Sequence, residues 1–428
     1  MLCCVSGSAR YSNSFEHAIK NNRSFTGEGA ILELNNTLRN DSMLSFLSSS
    51  KHCFFIVFRS WRHILITVLI VDDSAFMRKA IEIILEKDPE IKVIGRANNG
   101  KAALEAIERL NPDVVTMDVE MPEMDGITAV RHIMAKSPKP VLMISSVTKE
   151  GAETTLKALE AGAMDFISKP ASTVSLDIIH LENEIRQKVR AVASRRPPVI
   201  RHVQPSLEER AARQLPQSRR PDSAAASTPP VERPAGYVSR DIVSIGVSTG
   251  GPPAVQQVLS ALPKDFPVPI LIAQHMPAAF TGPFASRLND ICQITVKEVA
   301  QGDILQPGWA YISPGGRHIR LHVSRGVMTA NVTDEPKEAL YKPSANVLHE
   351  SVGLAIGRRA LCVQLTGMGY DGLEGVRVAK EKGARALAQS DATCVVYGMP
   401  KAIVDAGLAD EIVDINMMAA AIMRNIYR

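Results

Sequence analysis

From residue 66 onward, short apolar runs alternate with amphipathic segments. That alternation constrains the fold more than any other feature of the sequence. The runs lie at 68–71, 91–94, 113–117, 140–144 and 165–168. Between them, apolar residues recur at helical spacing over 75–87, 100–110, 126–136, 151–161 and 174–190. Five strands alternating with helices predict a parallel sheet covered on both faces. A second alternating region opens at Asp241 and runs to the C-terminus. The expected fold class is therefore α/β, with two doubly wound, mainly parallel-sheet domains.

The length of 428 residues suits two or three domains. Four segments are expected: an N-terminal extension over 1–65, a first domain over 66–190, a linker over 191–238 and a second domain over 239–428. Residues 1–65 are rich in Ser and Asn and carry little periodicity. They read as a disordered extension or one that is not translated in the cell. The linker is dominated by Pro, Arg, Ser, Ala and Gln, with few large apolar residues to bury.

Residues 53–71 are apolar overall, but Arg59, Arg62 and His63 interrupt them. Neither half reaches the roughly 20 residues of a spanning helix, so no membrane insertion is expected. Six cysteines (Cys3, Cys4, Cys53, Cys292, Cys362 and Cys394) form no Cys-x-x-Cys pair. That pattern fits a reducing compartment, and the cytoplasm is the expected location. A formal net charge of +4 does not by itself argue for nucleic acid, and no nucleic-acid partner is expected.

In an open parallel sheet, sites form at the carboxyl ends of the strands. Asp72 and Asp73 end the first run, Asp118 the third, Ser145 and Ser146 the fourth, and Lys169-Pro170 the fifth. Three converging carboxylates repel one another unless a cation is present, and oxygen ligands of this kind suit Mg2+. Lys169 adds a positive charge and Ser145 a hydroxyl donor. The set reads as built to hold a phosphoryl group on Asp118. Taken singly, Asp-Asp is often a helix cap and Lys-Pro a loop.

The motifs Val-Asp-Asp-Ser (71–74), Met-Asp-Val-Glu-Met-Pro-Glu-Met-Asp-Gly (117–126), Ile-Ser-Ser (144–146) and Lys-Pro (169–170) resemble a response-regulator receiver domain. The resemblance implies a flavodoxin-like fold and phosphoryl transfer to Asp118 from a histidine kinase. It implies Mg2+ ligation by Asp73, Asp118 and the backbone carbonyl of Glu120, with Asp72 in support. Ser145 and Lys169 would contact the phosphoryl group, Ser145 standing where Thr is common. Phe166 occupies the family's switch-aromatic position.

The stretch Gly246-Val-Ser-Thr-Gly250 places Ser248 in a Gly-x-Ser-x-Gly turn between a strand and a helix. A phosphate-cradling loop would need a lysine at the helix start, and Pro252-Pro-Ala-Val follows instead. A nucleophilic serine needs a base and an orienting acid. A second apolar run ends at His275, and a third leads into Thr366-Gly-Met-Gly-Tyr-Asp-Gly372. Ser248, His275 and Asp371 thus fall on one sheet edge, and the glycine loop offers N–H groups to an oxyanion. The competing reading of Asp371 is a cap for the helix starting near Gly372. His318 and His322 have the spacing of a helical metal pair, but 317–324 alternates like a strand. Both imidazoles are then expected on one polar face.

Gly-Val-Ser-Thr-Gly-Gly (246–251), Gln-His-Met-Pro (274–277), Tyr-Ile-Ser-Pro-Gly (311–315), Lys-Pro-Ser (342–344) and Leu-Thr-Gly-Met-Gly-Tyr-Asp-Gly (365–372) resemble the catalytic domain of chemotaxis protein-glutamate methylesterases. So does Cys-Val-Val-Tyr-Gly-Met-Pro (394–400). A receiver joined to such a domain, here Rossmann-like, is that family's architecture.

The resemblance implies a phosphorylation-activated carboxylic ester hydrolase with protein-glutamine glutaminase activity. Its substrates would be methylated chemoreceptor cytoplasmic domains. Ser248, His275 and Asp371 would be catalytic, the Met368 N–H would serve the oxyanion, and Thr249 would support the site. The esterase domain is expected to need no cofactor. The alternatives are a serine esterase or amidase for another substrate, or a response regulator with a DNA-binding output.

Overall fold

The first apolar run folds as strand β1 (Ile66–Val71), whose last four residues are buried. The computed structural model describes residues 65–146, 148–169, 175–195 and 236–427. Strands β2 (Ile91–Ala97), β3 (Val114–Asp118), β4 (Val141–Ser145) and β5 (Asp165–Ser168) complete a sheet of order β2-β1-β3-β4-β5. Every pairing in it is parallel.

Helices α1 (Ala75–Glu86), α2 (Gly100–Leu110), α3 (Gly126–Lys136), α4 (Lys149–Glu160) and α5 (Ser175–Ala193) connect and follow these strands. The first four open on Ser74, Asn99, Asp125 and Thr148, whose side chains accept the otherwise free N–H groups of the first turn. The chain leaves β1 in one direction and returns through β3 in the other. The crevice at that reversal is therefore where a ligand would sit, and Asp72, Asp73 and Asp118 lie there.

The second alternation gives seven strands: β6 (Ile242–Val247), β7 (Ile270–Gln274), β8 (Thr295–Glu298), β9 (Trp309–Ile312), β12 (Ala360–Gln364), β13 (Arg385–Gln389) and β14 (Glu411–Val413). Their order is β14-β13-β12-β6-β7-β9-β8, again all parallel. Helices α6 (Gly251–Ser260), α7 (Ala278–Ile291), α8 (Ala345–Ile356), α9 (Leu373–Glu381), α10 (Met399–Asp405) and α11 (Ile415–Ile426) belong to the same region. Here the reversal falls between β6 and β12, with β7 beside β6. Ser248 follows β6, His275 follows β7, and Asp371 lies in the loop after β12.

Phe280 of α7 stacks on Phe166 of β5, with ring centroids 4.5 Å apart. Arg287 of α7 pairs with Glu160 of α4, its Nη2 lying 2.7 Å from Oε2. Apolar burial is continuous across these contacts, so one core cluster holds residues of both sheets. Among the described residues, no helix is long and apolar enough to cross a membrane.

Three expectations change. The sequence between β9 and α8 is not a further strand-helix unit. It forms an antiparallel hairpin, β10 (His318–Ser324) and β11 (Val327–Thr333), closed by Arg325 and Gly326 at positive φ. His318 does not share an exposed polar face with His322. It is fully buried, and its Nδ1 accepts the N–H of Ser344, because the start of β10 packs under α8 while its far end reaches solvent. Helix α5 continues to Ala193, past the expected boundary at 190. The extension over 1–64, most of the linker (196–235) and Pro170 lie outside the described residues.

Candidate active site

The turn after β6 is shaped by Gly250, which adopts φ +73°. An added Cβ there would also meet Val395 at 2.4 Å, so only glycine fits both the backbone and the space. The turn leaves the Ser248 hydroxyl 3.0 Å from Nδ1 of His275. The other imidazole nitrogen, Nε2, lies 2.8 Å from Oδ2 of Asp371. Sheet pairing sets these separations. The N–H of His275 donates to Val247, and that of Ser248 donates to Thr366. Gln274 Nε2 ties the two strand ends together through the carbonyls of Ser248 and His275, at 3.0 and 3.2 Å.

Asp371 does not cap α9, whose N-cap residue, Gly372, makes no side-chain bond. Its carboxylate instead reaches the N-terminus of α8. It accepts the N–H groups of Ala345 (2.6 Å) and Asn346 (3.1 Å) and the hydroxyl of Ser344 (2.8 Å). Burial works to raise its pKa. The His275 hydrogen bond and charge, with the Ala345 and Ser344 donors, outweigh burial and hold the carboxyl below the usual range. The positive end of a helix favours the same ionised state.

Met368 follows Gly367 in the loop after β12, and that loop packs against Ser248. A methyl added to Gly367 would come within 2.8 Å of the Ser248 Cβ. Thr249 is buried, and its carbonyl accepts the Thr366 hydroxyl at 2.9 Å, so it braces the turn.

At the edge of the first sheet, carboxylate oxygens of Asp72, Asp73 and Asp118 lie within 4.8 Å of one another. Lys169 Nζ is 2.8 Å from Asp118 and 3.1 Å from Asp72. Burial pushes the Asp118 carboxyl up despite Lys169, with Asp72 adding to the rise. Burial opposes the Lys169 charge, but Asp118 and Asp72 outweigh it and raise its pKa. Asp72 Oδ2 is buried, and its partner among the described residues is the Lys169 ammonium. Oxygens of three carboxylates gathered around one ammonium make an electron-rich pocket that fits a small hard cation. The Ser145 carbonyl accepts the Lys169 N–H, but its hydroxyl bonds to none of these side chains. Its hydroxyl accepts from Thr155 (2.6 Å) and faces the Gly151 carbonyl (3.2 Å), turned into α4. Glu120 is exposed beyond β3.

Residues 243–422 match the CheB methylesterase family, and residues 68–179 match the response regulator receiver domain. A protein of Oleidesulfovibrio alaskensis described as protein-glutamate methylesterase/protein-glutamine glutaminase 1 is 61% identical over 369 residues, covering 85% of this chain and 100% of that one. The chain belongs to the CheB methylesterase family.

Another family member, protein-glutamate methylesterase/protein-glutamine glutaminase 2 of Nitratidesulfovibrio vulgaris, is 60% identical over 368 residues, covering 85% of this chain and 100% of its own. Among solved structures, the Thermotoga maritima CheB methylesterase catalytic domain is 35% identical (TM-score 0.43), covering 44% of this chain and 99% of that domain. The chain is a hydrolase of this family that carries a receiver domain.

Within this CheB family site, several residues had no role assigned from sequence. Tyr341 lies over the His275 ring with centroids 4.3 Å apart and planes inclined by 13°. Ser344 and Asn346 hold the Asp371 loop, Asn346 accepting the N–H groups of Gly372 and Gly375 at 2.9 Å. The signal available was the Lys-Pro-Ser run before a helix, which marks Ser344 as an N-cap but not as a partner of an aspartate 27 residues away.

Proposed function

We propose that this chain is a phosphorylation-activated protein-glutamate methylesterase and protein-glutamine glutaminase acting on chemoreceptor cytoplasmic domains. The observation that carries the reading is the unbroken hydrogen-bond chain Ser248–His275–Asp371.

Asp371, ionised and anchored on α8, accepts the Nε2–H of His275. That fixes the tautomer and leaves Nδ1 free to accept the Ser248 proton. Ser248 Oγ attacks the γ-ester carbonyl as Nδ1 takes its proton. The Met368 N–H stabilises the oxyanion. The imidazolium returns its proton to the departing methoxide, and methanol leaves. Water, deprotonated by His275, then hydrolyses the glutamyl-serine ester, freeing the glutamate and Ser248. With a glutamine side chain, the same steps release ammonia.

In the receiver, Asp118 is the phosphoryl acceptor, supplied by a histidine kinase. Asp72, Asp73, Asp118 and the backbone carbonyl of Glu120 would hold Mg2+. When bound, it neutralises the charge gathered at the phosphoryl group. Lys169 pairs with the phosphoryl oxygens, and Ser145 turns from the α4 carbonyl to donate to them. This releases α4, which holds α7 through Glu160 and Arg287. Phe166 is the second link, since it stacks on α7 three residues beyond Pro277. Phosphorylation thereby shifts the population away from the closed arrangement of the two domains.

The test is methanol release from methylated receptor membranes, with and without a small phosphodonor and Mg2+. Wild type should speed up with the donor, and Asp118→Asn should keep its basal rate without responding. Equal stimulation of both would contradict the reading.

A further inference from the structure

The imidazole of His275 is held at its two nitrogens by Ser248 and Asp371, but those bonds lie in the ring plane and do not restrain it from above. Tyr341 supplies that restraint. Its ring lies nearly parallel to the imidazole, 13° off, at a centroid distance of 4.3 Å. It is half-buried in the loop before α8, beside the exposed Leu340. Its hydroxyl reaches toward the loop that carries Met368: a methyl added to Gly369 would lie 3.5 Å from it. Three residues on, Ser344 and the N–H groups of Ala345 and Asn346 grip Asp371. One short segment therefore restrains both the base and its acid.

We propose that Tyr341 is a positioning residue for the esterase reaction: its ring face holds the His275 imidazole in the plane that reaches both Ser248 and Asp371, and favours the imidazolium formed as Ser248 loses its proton. This rests on the reading of Ser248 and His275 given above. The face of an aromatic ring carries negative potential and attracts a cation laid over it. The imidazole gains a positive charge as it takes the Ser248 proton, so the attraction grows as the reaction proceeds and lowers the barrier. Stacking also resists rotation about the bond to Cβ, which would pull Nδ1 away from Ser248. A merely space-filling residue needs no such face, and an aliphatic side chain of similar bulk would serve as well.

The experiment compares wild type, Tyr341→Phe, Tyr341→Leu, Tyr341→Met and Ser248→Ala in the full-length chain. Two readouts are used: methanol release, and the rate at which a fluorophosphonate labels the protein. In labelling, Ser248 Oγ bonds to phosphorus, fluoride leaves, and His275 takes the proton, so no receptor is needed. Leu and Met should each lower kcat and the labelling rate by about five- to thirtyfold, the range of a desolvated cation–ring contact, with KM within twofold of wild type. Phe keeps the ring face and should stay within twofold on both readouts. Wild-type labelling rates in both Leu and Met, or a Phe variant as slow as Leu, would overturn the proposal. Ser248→Ala separates the two readings. If it still labels at the wild-type rate, the nucleophile has been misassigned. If it is silent while Leu and Met label normally, only the role of Tyr341 falls.

Discussion

Oδ2 of Asp371 accepts the backbone N–H of Ala345 at 2.6 Å, which seats the carboxylate that faces His275 on the first turn of helix α8. Asp371 and Ala345 belong to different strand-helix units, so the acid's orientation depends on how α8 packs against the end of β12. The adjacent Ser344 serves twice, donating to Asp371 and accepting from Val347 as the N-cap of α8. Ser344→Ala should lower kcat about ten- to a hundredfold, the weight of one hydrogen bond to a charged group. It should also cost about 1 kcal/mol of stability as a lost cap. Ester hydrolysis and urea unfolding measured on one preparation check both figures.

Gly367 is a second point of leverage. An added methyl would meet Ser248 Cβ at 2.8 Å and Met399 Sδ at 2.3 Å. Gly367→Ala should displace Ser248 and lower kcat by about a hundredfold, while destabilising the fold by only about 1–3 kcal/mol. Activity and thermal unfolding of the purified variant test this.

His349 lies fully buried on α8, its Nδ1 2.8 Å from the Ser244 hydroxyl. Burial pushes its imidazole down to about 4. The unfolded chain, with an ordinary histidine near 6.5, therefore binds the proton more readily than the folded one. Stability is full above about pH 6.5 and falls as the pH drops toward 4, by about 3 kcal/mol across that window. His349→Gln should flatten this slope. Urea midpoints between pH 4 and 7.5 for the two proteins give the comparison, and equal slopes would contradict it.

The Phe166–Phe280 stack links the strand that leads to Lys169 with the helix that follows His275. Either Phe166→Ala or Phe280→Ala should raise the basal esterase rate about two- to tenfold, as expected from losing one aromatic pair. Both should shrink the further gain from a phosphodonor. Initial rates of methanol release, with and without the donor, decide it.

Much of this site was legible in the sequence because strand ends are legible. Ser248 and His275 directly follow apolar runs, so a parallel sheet brings them to one edge whatever the helices do. Asp72, Asp73, Asp118 and Lys169 follow the same logic and converge as expected. Asp371 lies seven residues past β12, and its placement depends on α8, which no local pattern encodes. Tyr341 carries no pattern of its own and Ser344 only that of a helix cap, because a stacking partner and a cap look alike in sequence whatever they touch in space. His318 was misjudged for a related reason. Alternation gives which face of a strand a residue occupies, but not what covers that face, and here α8 covers its first residues. Ser145 was placed at the correct strand end, yet its hydroxyl is turned toward α4, a rotamer choice set by Thr155.

The proposed chemistry turns on the Ser248 hydroxyl as nucleophile. Its most direct measurement is methanol release from methylated receptor membranes by wild type and Ser248→Ala at equal concentration, both with phosphodonor and Mg2+. Wild type should release methanol rapidly, and the variant should lose at least about a thousandfold, the scale of removing a triad member. Release by Ser248→Ala within tenfold of wild type would contradict it and place the ester chemistry elsewhere in the molecule.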